Sequence, residues 1–234
     1  MRDEGSWNHE QLGELIIGDL SKDGLTLAIG TPWNDENGED SGQVRVYRIN
    51  DNVSTWQELG QVLMGENTWD WFGWSLTFSD DGNTLAIGVP LSGGSDAKYS
   101  GHVRIYGLDA DDLIWIHLGQ DIIGLKGDHQ GECVSLSADG KTVAIGAMHN
   151  DDKGVISGHT MVYIWDESAL TYKQLGHYIT GEKDGHLFGI SVSLSSNGTA
   201  LAVGAWLNHW CNEDNGEDAG HVKVYKIDNS TLLY

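Results

Sequence analysis

The sequence predicts an all-β fold, a small β-propeller of four blades with about four antiparallel strands each. Three observations predict it. A short apolar stretch occurs four times, as TLAIGTP (26–32), TLAIGVP (84–90), TVAIGAM (142–148) and ALAVGAW (200–206). Its glycines, Gly30, Gly88, Gly146 and Gly204, recur at a constant spacing of 58 residues. Such a long fixed period marks a repeat architecture in which each unit buries its faces only against its neighbours. No amphipathic helix of useful length interrupts the pattern.

Each copy follows a turn, SKDG (21–24), SDDG (79–82), SADG (137–140) or SSNG (195–198). Asp-Gly or Asn-Gly before an apolar run signals a hairpin, because such turns need a residue at positive φ. The repeated stretch is therefore the second strand of a hairpin. The first strand is FGWSLTFS (72–79), QGECVSLS (130–137) and FGISVSLS (188–195). The third is GQVRVY (42–47), GHVRIY (101–106), GHTMVY (158–163) and GHVKVY (220–225). The fourth is LGELIIG (12–18), LGQVLMG (59–65), LGQDIIG (118–124) and LGHYITG (175–181). All have strand length and β-rich composition.

One repeat is irregular. LGELIIG runs almost directly into DLSKDG, so the first blade lacks room for its own innermost strand and is expected to be incomplete. The C-terminal KIDNSTLLY (226–234) stops where the last fourth strand should begin. Residues 12–18 are expected to supply that strand and close the ring, which would otherwise leave an open edge. The alternative is that LGELIIGDLS (12–21) is the inner strand of the first blade. The chain, 1–234, reads as a single propeller domain with repeats near 19–65, 66–124, 125–181 and 182–234 plus 7–18.

Composition narrows the function. Against 35 Asp and Glu stand 13 Lys and Arg, a formal charge of −22. That surface repels phosphate backbones, so no nucleic-acid partner is expected. No apolar run is long enough to span a bilayer, so no membrane insertion is expected either. Cys133 and Cys211 show no metal or disulfide spacing; Cys133 stands where sister repeats have Ser75 and Ser191 and reads as a small buried side chain.

With the Asp-Gly turns on one face, the loops after the second and fourth strands gather on the other. Two acidic loops lie there, WNDENGEDSG (33–42) and NEDNGEDAG (212–220). Asp35, Asn37, Asp40, Asp214, Asn215 and Asp218 would offer oxygens to a hard cation, which makes calcium the cofactor to test; no other cofactor is expected. The spacing matches no EF-hand loop. The bland alternative is a solvated turn whose Asn and Asp satisfy local backbone groups. Trp33, Trp69, Trp71, Trp206 and Trp210 fall on or beside the same loops and would form a stacking surface for a protein or glycan ligand. The histidines that open the third strand, His102, His159 and His221, read as bonds to loop backbone. No GxSxG, HExxH, P-loop or Rossmann glycine pattern is present.

The residues resemble FG-GAP repeats, the blades of the integrin alpha-subunit type of β-propeller. The FG element is Phe72-Gly73 and Phe188-Gly189, degraded to Gln130-Gly131. The GAP element is Gly30-Thr31-Pro32, Gly88-Val89-Pro90, Gly146-Ala147-Met148 and Gly204-Ala205-Trp206. The resemblance implies an extracellular or cell-surface location and a partner-binding loop face. It also implies a calcium loop between first and second strands, from which the short turns here depart. The expected function is a non-catalytic recognition module, not an enzyme. The alternatives are a carboxylate-dependent polysaccharide-cleaving enzyme and a structural repeat fragment of a larger cell-surface protein.

Overall fold

In the computed structural model, the described residues are 17–50, 55–93, 99–151, 154–206, 220–227 and 232–233. They form four antiparallel sheets and no helix. Sheet 1 contains β1 (Ile17–Leu20), β2 (Thr26–Thr31), β3 (Gln43–Asn50), β4 (Thr55–Glu58) and β5 (Leu63–Met64). Sheet 2 contains β6 (Ser75–Phe78), β7 (Thr84–Val89), β8 (His102–Asp109), β9 (Ile114–His117) and β10 (Ile122–Ile123). Sheet 3 contains β11 (Cys133–Leu136), β12 (Thr142–Ala147), β13 (His159–Asp166) and β14 (Thr171–Thr180). Sheet 4 contains β15 (Ser191–Leu194), β16 (Ala200–Ala205), β17 (His221–Ile227) and β18 (Leu232–Leu233).

The register repeats with the sequence. Ile17 faces Gly30, Ser75 faces Gly88, Cys133 faces Gly146 and Ser191 faces Gly204. The fourth strand starts earlier than its Leu-Gly motif suggests. In sheets 1 and 2 it breaks at that motif into β4 and β5, or β9 and β10, and both halves pair with the third strand.

The expected clasp is corrected here. β1 pairs with β2, from Ile17 opposite Gly30 to Leu20 opposite Leu27. The N-terminal segment is thus the inner strand of sheet 1, which has its full set of strands. Sheet 4 takes its fourth strand from its own chain, with Leu232 and Leu233 opposite Ile227 and Lys226. The SKDG turn, closed by the Ser21 amide donating to the Thr26 carbonyl at 2.9 Å, folds the 17–20 segment back along β2, and that short loop costs far less to close than one reaching the other end of the chain. Residues 12–16 lie outside the described residues.

Each turn is closed by the same hydrogen bonds. The Ser21, Ser79 and Ser137 hydroxyls donate to the Asp23, Asp81 and Asp139 carboxylates at 2.6 Å, and Ser195 donates to Asn197 at 2.8 Å. The same serine oxygens accept from the backbone five residues on. Asp23, Asp81 and Asp139 each accept as well from the backbone amide two residues on, as Asx turns require.

The core lies between the sheets. Ala28, Val44 and Val46 of sheet 1 pack on Phe78, Leu85 and Ile87 of sheet 2. Ala86, Val103 and Ile105 of sheet 2 pack on Leu136, Val143 and Ile145 of sheet 3. Ala144 and Val162 of sheet 3 pack on Val192, Leu201 and Val203 of sheet 4. The inner strands β1, β6, β11 and β15 touch in that order. Gly30 and Gly88 leave room for the backbones of Gly73 and Gly131 in the following sheet, whose carbonyl oxygens would stand 2.3 and 2.0 Å from an added Cβ.

Candidate functional site

The inner hairpins and the linkers that feed them build the loop face opposite the turns. In each linker, the residue before the Phe-Gly or Gln-Gly pair is held in the left-handed region: Trp71 (φ 57), His129 (φ 52) and Leu187 (φ 48). Bulky residues are rare there, and the cost is of order 1–3 kcal/mol when the surroundings enforce it. The enforcement is visible. The Trp71, His129 and Leu187 amides donate to the Asp40, Tyr99 and Ile156 carbonyls. Two of the linkers also carry an internal brace. Asp70 accepts from the Asn67 amide at 2.9 Å, and Asp128 accepts from the Leu125 amide at 2.8 Å.

In the linker to sheet 3 this frame presents a histidine. His129 lies against His149, which follows β12, with ring centroids 4.6 Å apart and planes tilted by 35°. Glu132, just before β11, reaches His149 Nδ1 at 2.8 Å and accepts from the Met148 amide at 3.2 Å. Their ligating atoms all lie within 4.8 Å of one another. Among the described residues this is the group of three His, Cys, Asp or Glu side chains close enough to gather on one cation.

The two imidazoles are pushed apart in acidity. Burial lowers the pKa of His129, and the His149 charge lowers it further. The hydrogen bond to Glu132 raises that of His149. Opposed shifts on adjacent titratable groups are the arrangement that separates a base from an acid. Beneath them, the Asn150 amide donates to Asp128 at 2.7 Å and the fully buried His159 lies 3.6 Å from the same carboxylate.

One repeat earlier, the same positions are aromatic. Trp71 takes the place of His129 and Trp74 that of Glu132, and their rings stack at 5.0 Å and 20°. Trp33, from the loop after β2, meets Trp71 edge-on at 6.3 Å. The structure therefore joins Trp33 and Trp71 with Trp74. It leaves Trp69 45% exposed and Trp206 63% exposed on sheet 4. Trp210, Asp214, Asn215 and Asp218 lie outside the described residues.

In the first acidic loop, Asp35 accepts from the Asp40 amide at 2.8 Å, and the Asn37 amide donates to the Gly65 carbonyl at 2.7 Å. Asp35 and Asn37 are exposed while Asp40 is buried. Asp35 thus closes the loop on itself, and Asn37 ties it to the residue after β5. The strand-opening histidines bond side chains. His102 Nδ1 meets Ser92 Oγ at 2.5 Å, and His159 stacks on Tyr178 at 4.9 Å. Cys133 is partly buried and its sulfur accepts from the Val192 amide.

No family model matches the chain, and no curated protein matches it. Solved structures do. The chain is similar in fold to a candidate 6-phosphogluconolactonase from Bacteroides uniformis ATCC 8492, with a TM-score of 0.55 and 18% identity. That overlay covers 92% of this chain and 51% of the other, so the chain spans about half the length of the protein it matches. A candidate 6-phosphogluconolactonase from Bacteroides fragilis NCTC 9343 gives a TM-score of 0.49 at 14% identity, over 74% of this chain and 40% of the other. A periplasmic gluconolactonase from Pseudomonas aeruginosa gives 0.41 at 15%, over 94% and 71%. Only the first overlay is close enough to establish a shared fold.

The integrin-type resemblance is corrected here: the protein that shares the fold is named as a 6-phosphogluconolactonase, and no family model, FG-GAP included, matches the chain. The FG and GAP residues serve a need common to any stack of such sheets. Phe72 and Phe188 fill the space between neighbours, and the glycines allow the backbones to meet. The adhesion-type, non-catalytic reading built on that resemblance falls with it.

His129, Glu132 and His149 were missed by motif reading because they come from separate segments. A signal was present in the repeat itself. Sister repeats carry Trp71 and Leu187 at the place of His129, and Trp74 and Ile190 at the place of Glu132. Polar side chains where repeats are otherwise apolar mark a departure from packing.

Proposed function

We propose that the chain is a hydrolase that opens the ring of an uncharged sugar lactone, with His129, Glu132 and His149 as its reacting groups. The single observation that carries this reading is the pair of adjacent imidazoles, 4.6 Å apart and pushed to opposite acidities, beside Glu132. The matching fold of a protein named as a lactonase supports the class of reaction. His129 as base takes a proton from water, and the resulting hydroxide adds to the lactone carbonyl carbon. His149, kept in its charged form by Glu132, faces the developing oxyanion. The bond from the carbonyl carbon to the ring oxygen breaks, the ring oxygen takes the His149 proton, and a hydroxy acid leaves. The proton held by His129 then passes through solvent to His149, which restores both groups.

The stack of Trp71 on Trp74, with Trp33 at its edge, lies one repeat away on the same face and suits the apolar face of a sugar ring. The −22 charge favours a neutral substrate over a phosphorylated one. This reading shares with the carboxylate-dependent polysaccharide-cleaving alternative that the chain is an enzyme, and departs from it in placing a His–Glu–His group where that alternative places a carboxylate pair. The four sheets act as neighbouring blades of a propeller in this reading, and an extracellular location is retained with it; fractionation of cells expressing the tagged chain tests that location. The decisive experiment is titration of the acid released from glucono-lactone by the wild type and by His129→Ala. Loss of at least ~100-fold in kcat/KM supports the reading, and no release above the spontaneous rate by the wild type defeats it.

A second reading rests on the closeness of the three ligating atoms. Two imidazoles and a carboxylate holding a zinc-like ion leave one position open for water. Activity abolished by chelator and restored by zinc would select it over the metal-free route.

A further inference from the structure

The repeat shows what each sheet expects on its trailing side, and sheet 4 lacks it. Val44 and Val46 of sheet 1 are completely buried by sheet 2. Val103 and Ile105 are buried in the same way by sheet 3, and Thr160 and Val162 by sheet 4. Their counterparts on β17, Val222 and Val224, are each 66% exposed. Trp206 is exposed beside them, and an open groove runs between Gly204, Trp206 and Val222.

The backbone tells the same story. An added Cβ at Gly146 would meet the Gly189 carbonyl at 2.0 Å, whereas at Gly204 its nearest neighbour is the side chain of Ser191 on its own sheet. The Cys133 sulfur and Ser135 hydroxyl accept from the Val192 and Leu194 amides of the next inner strand. Their counterparts Ser191 and Ser193 are exposed. A chain of turn-to-turn bonds runs from the Lys22 amide to Asp80, from Asp80 to Ala138 and from Ala138 to Ser196. Among the described residues it ends there.

Sheet 1 is open on the opposite, leading side. Leu27, Ile29 and Tyr47 are half-buried, whereas Leu85, Ile87, Leu201 and Val203 at the same positions are buried. Among the described residues, β15 and β1 make no packing like that between successive inner strands.

We infer that a second copy of this chain covers both open faces, head to tail. The trailing face of sheet 4 in each copy meets the leading face of sheet 1 in the other. Two such contacts around a twofold axis close a ring of eight sheets. The occupant follows from three facts. The exposed surface has the residue pattern that buries a sheet of this same kind. The complementary face lies at the other end of the same chain. The protein sharing the fold has a chain about twice as long, of which this one covers 51%. The repeat also specifies the new contacts. The Ser191 and Ser193 hydroxyls accept from the Gly18 and Leu20 amides of the other copy, and the Ser196 amide donates to its Lys22 carbonyl.

Sedimentation velocity and light scattering of the purified 234-residue chain test this directly. The expected mass is twice the 25.5 kDa of one chain. The double variant Val222→Lys, Val224→Lys places two charges in the contact and is expected to weaken dimerisation at least ~100-fold. Because both side chains are exposed in the single copy, the variant should keep the wild-type far-ultraviolet dichroism and cooperative unfolding. A wild-type chain that stays monomeric at 100-fold dilution series concentrations up to ~100 μM overturns the proposal, whatever else covers that face. So does a dimer that the lysines leave intact. Crosslinking of Leu20→Cys to Ser193→Cys, in a background with Cys133→Ser and Cys211→Ser, adds a second readout. A band of twice the mass supports the paired ring, and a crosslink confined to one chain overturns it.

Discussion

Gly146 lies against Gly189 so closely that a methyl group on the first would stand 2.0 Å from the carbonyl oxygen of the second. Gly189 holds a φ of 94° and donates its amide to the Gly204 carbonyl at 3.0 Å. The spacing of the sheets is set by this approach of two backbones.

Gly146→Ala should therefore cost about 3 kcal/mol or more, because the obstacle is backbone that belongs to another packed sheet. Gly204→Ala should cost less than about 1 kcal/mol in the single copy, since only the Ser191 hydroxyl must rotate away. Urea unfolding of the two variants at low protein concentration checks the difference. Equal losses would mean that the glycines serve the strand rather than the contact between sheets.

Burial pushes His102 down to about 4, against the opposing pull of Asp121 and Glu66. A histidine depressed in the folded state resists protonation that the unfolded chain accepts. Stability from this group is thus full above pH 6.5 and is lost as pH falls toward 4, by on the order of 3 kcal/mol at most. Gln43 occupies the same place in sheet 1 without titrating. His102→Gln should flatten the acid side of the stability profile across that window, as thermal melts at pH 7, 5.5 and 4 would show.

Gln130 stands where Phe72 and Phe188 fill the space between sheets, and it is fully buried. Its amide donates to the Ile122 carbonyl at 2.8 Å, but its oxygen is buried without a hydrogen-bond partner. Gln130→Phe should raise stability by about 1–2 kcal/mol, by replacing an unsatisfied polar group with apolar volume that two sister sites already accept. A lower denaturation midpoint would show that the amide bond to Ile122 outweighs the orphaned oxygen.

The proposed chemistry needs His129 without its proton and His149 with one. Lactonase activity should follow a bell in pH, with its acid limb below and its alkaline limb above the ordinary histidine value. Glu132→Gln removes the partner that raises His149, so the alkaline limb should move to lower pH while the acid limb shifts less. A pH–rate profile of kcat/KM checks both limbs. An unmoved alkaline limb would remove His149 from the acid role.

The sequence by itself determined the repeat, its hairpins and the turn that closes each one. The cause is that these features are local: alternation over a few residues, Ser-x-Asp-Gly chemistry, and glycine at the positive-φ position that ends each turn. It also singled out Trp33 and Trp71, which the structure brings edge to face at 6.3 Å. Only the tertiary structure decided which sheet the N-terminal strand joins, because residues 12–21 fit two roles equally well as a pattern. His129, Glu132 and His149 likewise meet only when a linker, a strand start and a strand end converge on one edge of sheet 3. The open faces were hidden for the same reason. Val222 and Val224 read like Val44 and Val46 in sequence, and only their neighbours in space distinguish them.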